Sequence, residues 1–93
     1  MRESQVEAYF CKRVNQEGGR HRKFTSPGHR SVPDRICGFP GARFAFVELK
    51  APGVKPRLDQ IREHNRWTTL GFKVYVIDSF EGVDAFIKEM TKC

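Results

Sequence analysis

Three side chains near the middle of the chain have the types and spacing for metal-assisted hydrolysis. Residues 44–53 read FAFVELKAPG, an alternating apolar strand that ends on Glu48 and Lys50. In a strand, residues i and i+2 share a face, so Glu48 and Lys50 project together while Leu49 projects the other way. Residues 32–37 form a second strand candidate, and 38–42 (GFPGA) read as the turn between the two. Residue 41 lies midway between 34 and 48, so antiparallel pairing about Gly41 sets Asp34 opposite Glu48. Directly opposed residues have Cβ atoms about 4.5–5.5 Å apart. The pattern predicts two carboxylates side by side with an ammonium next to them.

Opposed like charges destabilise a sheet unless a shared proton or a cation offsets the repulsion. Two carboxylates and a backbone carbonyl suit a hard cation, Mg²⁺ or Mn²⁺. Lys50 beside that ion could orient a water, lower its pKa or stabilise charge on a phosphate. The competing reading is a strand-end salt bridge of Glu48 or Asp34 with Lys50, worth about 0–1 kcal/mol. For E-x-K alone the salt bridge is the commoner case. Pro33-Asp34 at hairpin distance and a basic loop beside it favour the site.

The charge balance agrees. The net charge is +6, and it is uneven. Arg20, Arg22, Lys23, Arg30 and Arg35, with His21 and His29, face the single acid Asp34 in one stretch. A basic face of this kind suits a polyanion such as nucleic acid, although it is also what a solvated surface looks like. A hydrolytic metal site beside it points to phosphodiester cleavage.

Composition bounds the rest. A chain of 93 residues is one domain (1–93) with a modest core, for which oligomerisation is plausible. With 39% hydrophobic residues and eight Phe it is a globular composition. No apolar run approaches the roughly 20 residues of a membrane span. The opening MRESQVEAYF lacks the apolar centre of a signal peptide, so a cytoplasmic location is expected. Cys11, Cys37 and Cys93 are odd in number and widely spaced, which reads as reduced thiols rather than a disulfide or zinc framework.

The elements that must position these groups follow from periodicity. Residues 4–17 read as a helix with Val6, Phe10 and Val14 on one face, stopped by Gly18-Gly19. Residues 20–26 read as extended, and 43–50 as the third strand. Residues 57–70 read as a helix with Leu58, Ile61, Asn65 and Thr68 inward. Residues 72–78 are apolar on both faces, as expected of a buried strand. Residues 80–92 read as a helix with Val83, Phe86, Ile87 and Met90 inward. The order is α-β-β-β-α-β-α, an α/β fold. The first three strands can form a meander, and the crossover places the fourth parallel to the third. The result is a mixed sheet flanked by helices.

Taken together, Pro33-Asp34 followed by Glu48-Leu49-Lys50 resembles the PD-(D/E)xK nuclease superfamily. The match is closer to the VRR-NUC (virus-type replication-repair nuclease) family. Ser31-Val32-Pro33-Asp34 resembles its G-x-P-D motif, with Ser31 where the family usually has Gly. Glu48-Leu49-Lys50-Ala51-Pro52-Gly53 is similar to its E-x-K loop. Arg57-Leu58-Asp59-Gln60 is similar to the segment ending in its functional Gln, and residues 66–76 to its helix-Gly-strand core. The resemblance runs from Glu7 to about Phe86.

It implies a restriction-endonuclease-like core. Asp34 and Glu48 would be metal carboxylates, the Leu49 backbone carbonyl a third ligand and Lys50 the catalytic lysine. Glu7 and Gln60 would complete the site, with Mg²⁺ or Mn²⁺ as cofactor. Standalone members resemble Holliday-junction resolvases, which implies branched DNA as partner, a four-way junction above all, and a phage, prophage or bacterial setting. Such a junction needs two related active sites, which a C₂ homodimer supplies.

Several residues carry two readings. Glu7 also closes an S-x-x-E capping box from Ser4. Gln60 could equally be a solvated residue in the first helical turn, and Asp59 a partner of the helix dipole. Lys55 and Arg57 flank the site and are candidates for phosphate contact, as are Lys23, His29 and Arg30. Arg62 and Arg66 share a helix face and are either DNA contacts or solubilising charge. No histidine is assigned chemistry. Tyr9 and Trp67 are candidates for a subunit contact. With no helix-turn-helix or zinc-finger signature, recognition of DNA shape is expected. The alternatives are a non-catalytic basic nucleic-acid-binding module on a nuclease scaffold, and a basic face for an acidic partner.

Overall fold

The computed structural model describes residues 1–92. The chain runs α1 (Glu3–Gln16), β1 (Arg20–Lys23), β2 (Arg35–Phe39), β3 (Arg43–Leu49), α2 (Leu58–Thr69), β4 (Val74–Ile77) and α3 (Phe80–Thr91), the expected order. The β2–β3 hairpin sets the register on which the site depends. Phe39 pairs with Arg43 across Pro40-Gly41-Ala42. Gly41 and Ala42 both take left-handed backbone, at φ 88° and 60°. That conformation is cheap for Gly and matches the twist of a tight hairpin. The pairing runs back to Arg35 opposite Val47, and one further residue brings Asp34 across from Glu48.

The sheet order is β1-β2-β3-β4. The first three strands form an antiparallel meander, and β4 lies parallel to β3, as the crossover requires. One face packs against α1 and α3. Val6, Phe10, Val14, Cys37, Phe39, Val47, Leu49, Val83, Phe86 and Met90 form that core. The inward stripes of both helices are the expected ones. Ser79 caps α3 by accepting from the Gly82 N–H at 2.9 Å.

The other face carries α2, and here the expected orientation is overturned. Leu58 and Ile61 are 61% and 41% exposed, and Asn65 and Thr68 are exposed too. The inward stripe is Gln60, His64 and Trp67, at helical spacing. Trp67 packs on Phe46 with ring centroids 4.8 Å apart. Beneath Gln60 and His64 lies Glu48, only 4% exposed. A buried carboxylate without donors costs more than a few singly exposed apolar side chains, so the polar stripe wins the inward position.

Other expectations also shift. The second strand starts at Arg35 rather than at 32, since Pro33 cannot donate to a ladder. The fourth strand lies at the sheet edge and is not buried on both faces: Val76 is 45% exposed. The N-cap of α1 is Arg2, whose N–H donates to Gln5 Oε1 at 2.6 Å. The Ser4–Glu7 capping box is therefore not formed. Cys11 and Cys37 are free thiols, and burial pushes Cys37 up to about 12; Cys93 lies outside the described residues.

Candidate active site

Asp34, Glu48, Lys50 and Gln60 converge where β2 and β3 emerge from the hairpin pairing. Asp34 accepts from the Leu49 N–H, at 3.2 Å to Oδ1 and 3.4 Å to Oδ2. That N–H is the one the ladder would otherwise leave free just past the start of β2. The N–H and C=O of one strand residue point to the same neighbour. The Leu49 carbonyl therefore lies along the Asp34 edge of β3, while the Lys50 N–H turns the other way to the Ile77 carbonyl at 2.9 Å.

Glu48 is gripped by α2 and by its own strand. Gln60 Nε2 donates to Glu48 Oε2 at 3.0 Å, and Lys50 Nζ lies 3.4 Å from the same oxygen. The Gln60 amide cannot flip freely, because its Oε1 accepts from the Arg57 N–H at the helix start, at 2.9 Å. A cap interaction thus fixes which end of Gln60 meets the carboxylate. This is the residue that could have been a solvated one, and it is 5% exposed.

The two carboxylates are driven apart electrostatically. Burial, then the charge of Glu48, push Asp34 up to about 6, against the pull of the Leu49 N–H. Burial pushes Glu48 upward as well, but the polar contacts of His64 and Lys50 outweigh it and hold Glu48 below its ordinary value. At neutral pH the pair is an ionised Glu48 beside an Asp34 whose charge is costly. A cation between them relieves that cost.

The donor set fits a hard divalent ion. Among the described residues no three His, Cys, Asp or Glu side chains gather to hold a metal by themselves. Mg²⁺ does not need that, since it keeps several waters and binds through one or two carboxylates plus substrate phosphate. Asp34, Glu48 and the Leu49 carbonyl are such a partial, oxygen-only set.

Glu7 is not brought to this group. Its carboxylate accepts from Arg35 Nη2 at 2.8 Å, on the opposite face of the sheet. Arg35 is buried and also lies 3.3 Å from His21 Nδ1, so Glu7 balances an internal cation. One turn earlier on α1, Glu3 is close enough to Asp34 for its charge to raise that group. Glu3 and Glu7 are four apart, and spacing alone does not choose between them.

His64 was not singled out by its sequence context. It is 7% exposed, with Nε2 3.8 Å from Glu48 Oε1, and both atoms are buried without a hydrogen-bond partner. Its signal was there in the spacing: Gln60 and His64 are one turn apart.

The cleft around Asp34, Glu48 and Gln60 holds about 310 Å³ and is rimmed by His29, Arg30 and Arg57. Arg66 lines the neighbouring groove. Lys23, Lys55 and Arg62 are exposed and do not line that cleft. Arg30 lies 3.8 Å from Asp59, and Arg57 3.2 Å from the same carboxylate, so Asp59 tethers two of the rim cations. Tyr9 and Trp67 each make contacts within the chain. Tyr9 donates to Asp84 at 2.6 Å and stacks on Phe80, and Trp67 Nε1 donates to Glu63 at 2.9 Å.

A three-layer α/β core with Asp34, Glu48 and Lys50 at one end of a mixed sheet defines the PD-(D/E)xK nuclease scaffold. The chain is similar to "Putative nuclease p44" of Acyrthosiphon pisum secondary endosymbiont phage 1, with 47% identity over 79 residues, 85% of each chain. It is similar to a solved VRR-NUC domain at a TM-score of 0.86 and 36% identity, covering 92% of this chain and 94% of that one. No family model matches. On these relatives, the chain belongs to the VRR-NUC family of nucleases.

Proposed function

We propose that the protein is a Mg²⁺- or Mn²⁺-dependent DNA endonuclease that selects branched DNA, resembling a Holliday-junction resolvase. The observation that supports this best is that Asp34 and Glu48 line one cleft with a cationic rim, with Lys50 Nζ 3.4 Å from Glu48 Oε2. The phage nuclease and the VRR-NUC domain it resembles support the nuclease part of this reading.

A bound divalent cation supplies Lewis-acid polarisation of a phosphate oxygen and of water. Asp34, Glu48 and the Leu49 carbonyl would hold it. Beside its contact with Glu48, Lys50 Nζ keeps N–H donors for an attacking water or a non-bridging phosphate oxygen, on the face it shares with Glu48. Gln60 and His64 keep the Glu48 carboxylate in place. His29, Arg30 and Arg57 draw the DNA backbone into the cleft.

Cutting a symmetric junction calls for a C₂ homodimer. The outward side of α2 offers Leu58 and Ile61, and the edge strand β4 offers Val76, all exposed. Exposed apolar side chains on α2 and a free strand edge suit a second copy better than water does. In this reading the enzyme works in the cytoplasm of a bacterium carrying a phage or prophage.

The test is cleavage of a labelled four-way junction and a matched linear duplex, with Mg²⁺, Mn²⁺ or EDTA, for wild type and Lys50→Ala. Metal-dependent cutting of the junction, lost in Lys50→Ala, is expected. Binding without cutting in either metal would leave a non-catalytic nucleic-acid module. Equal cutting by an obligate-monomer variant would remove the dimer from the proposal.

A further inference from the structure

The cleft does not end at Glu48. Phe24, Ser26 and His29 line it and also line a second groove, which continues along α2 to Glu63, Arg66 and Trp67. That groove holds about 640 Å³, within the range of sites for small ligands. Its aromatic walls are aligned by a buried ring beneath them. Phe24 lies 5.9 Å and Trp67 4.8 Å from Phe46, centroid to centroid. Phe24 and Trp67 are only half-buried, so both keep ring surface on the groove. The rim is polar and carries a cation: Arg66, its side chain 70% exposed, is held to Glu63 at 3.0 Å. His29 lies at the junction of groove and cleft.

We propose that this groove takes one unpaired or unstacked DNA base next to the phosphate held in the cleft. The proposal rests on the DNA-cutting reading above and gives it a source of selectivity. Two arguments choose the occupant. The groove is continuous with the cleft, so a nucleotide neighbouring the bound phosphate reaches it without a separate entry. Its chemistry is aromatic walls with a cationic rim, the combination that binds single-stranded nucleic acid by stacking while tracking its backbone. A base inside a linear duplex is stacked on both sides and cannot enter. A base at a branch point, flap or bulge is already freed, so those structures bind without an unstacking cost. Every base has a π-face, which makes the selection one of shape and not of sequence.

The probe is a junction carrying 2-aminopurine at an unpaired position next to the branch, bound by the full-length protein in EDTA so that nothing is cut. Wild type quenches the fluorophore as it stacks. Phe24→Ala loses the quenching and weakens binding to this branched DNA about fivefold or more, the lower end for one lost base stack. Its affinity for linear duplex falls less. Phe24→Tyr restores both. Trp67→Phe, which keeps the packing on Phe46, gives an intermediate loss and guards against misfolding of the first variant. Unchanged quenching in a folded Phe24→Ala protein would overturn the proposal, as would an equal loss of affinity for linear duplex. Cleavage with Mn²⁺ is scored separately. Cutting without quenching refutes the base pocket alone, and quenching without cutting keeps the pocket while refuting the nuclease reading.

Discussion

Replacing Asp34 by Asn should make the metal-free protein more stable at neutral pH, although it removes a site residue. Asp34 is raised from 3.8 to about 6 by burial and by the nearby Glu48. The folded protein therefore holds this proton more tightly than the unfolded chain does. The group costs nothing below the unfolded value near 4. Its cost grows as pH rises from about 4 to about 6 and is constant above that. Two units correspond to about 3 kcal/mol, which partial exposure reduces to about 1–2 kcal/mol. Asn removes the charge and keeps one oxygen to accept from the Leu49 N–H, the other becoming an amide NH2. For a domain of this size about 1 kcal/mol moves Tm by about 4–8 °C. Thermal unfolding from pH 4 to 8 in EDTA should show wild type losing stability across the lower half of that range. Asp34→Asn should lack that fall and melt several degrees higher above pH 6. Adding Mn²⁺ at pH 7.5 should raise the wild-type Tm and leave the variant unmoved. A variant that melts lower than wild type at pH 7.5 in EDTA would refute the reasoning, because Asp34 would then be a favourable partner and not a repelled one.

Glu7→Gln separates the two places its carboxylate could serve. If the Arg35 pair is its role, stability falls by about 1–3 kcal/mol while the rate of cutting per folded molecule stays within a few-fold; a hundredfold loss of rate in a stable protein would put Glu7 back in the site. His64→Ala should weaken Mn²⁺ binding, read by calorimetry, by about tenfold or more, as loss of a group that orients a ligand carboxylate does; unaltered affinity would make His64 mere packing. Gln60→Ala strips Glu48 Oε2 of its 3.0 Å donor, and a loss of about 1–3 kcal/mol is expected from denaturant unfolding. If Lys50 acts in the chemical step, Lys50→Ala should cost at least about a hundredfold in cutting yet bind junction DNA nearly as wild type; a parallel collapse of binding would argue for a phosphate anchor.

Much of the architecture was legible because it is written in short-range pattern. The Gly41-Ala42 turn and the alternation on both sides of it set the hairpin register, and with it Asp34 opposite Glu48. The stripes Val6-Phe10-Val14 and Val83-Phe86-Ile87-Met90 show which faces α1 and α3 bury. The i, i+2 geometry puts Glu48 and Lys50 on one face whatever surrounds them. Tertiary structure decided the rest. Periodicity counts apolar residues, so it turned Leu58 and Ile61 inward; it cannot know that a charge lies under the helix. Only the assembled sheet buries Glu48, and a buried charge must recruit donors. That demand rotates α2 until Gln60 and His64 face it and leaves the apolar stripe outside. The same logic takes Glu7 away from the cleft, because Arg35, buried on the other face of the sheet, needs an anion more than the Ser4 backbone needs a cap. Local sequence carries the periodic signal of each element, whereas the cost of an unpaired buried charge exists only once distant segments have closed around it.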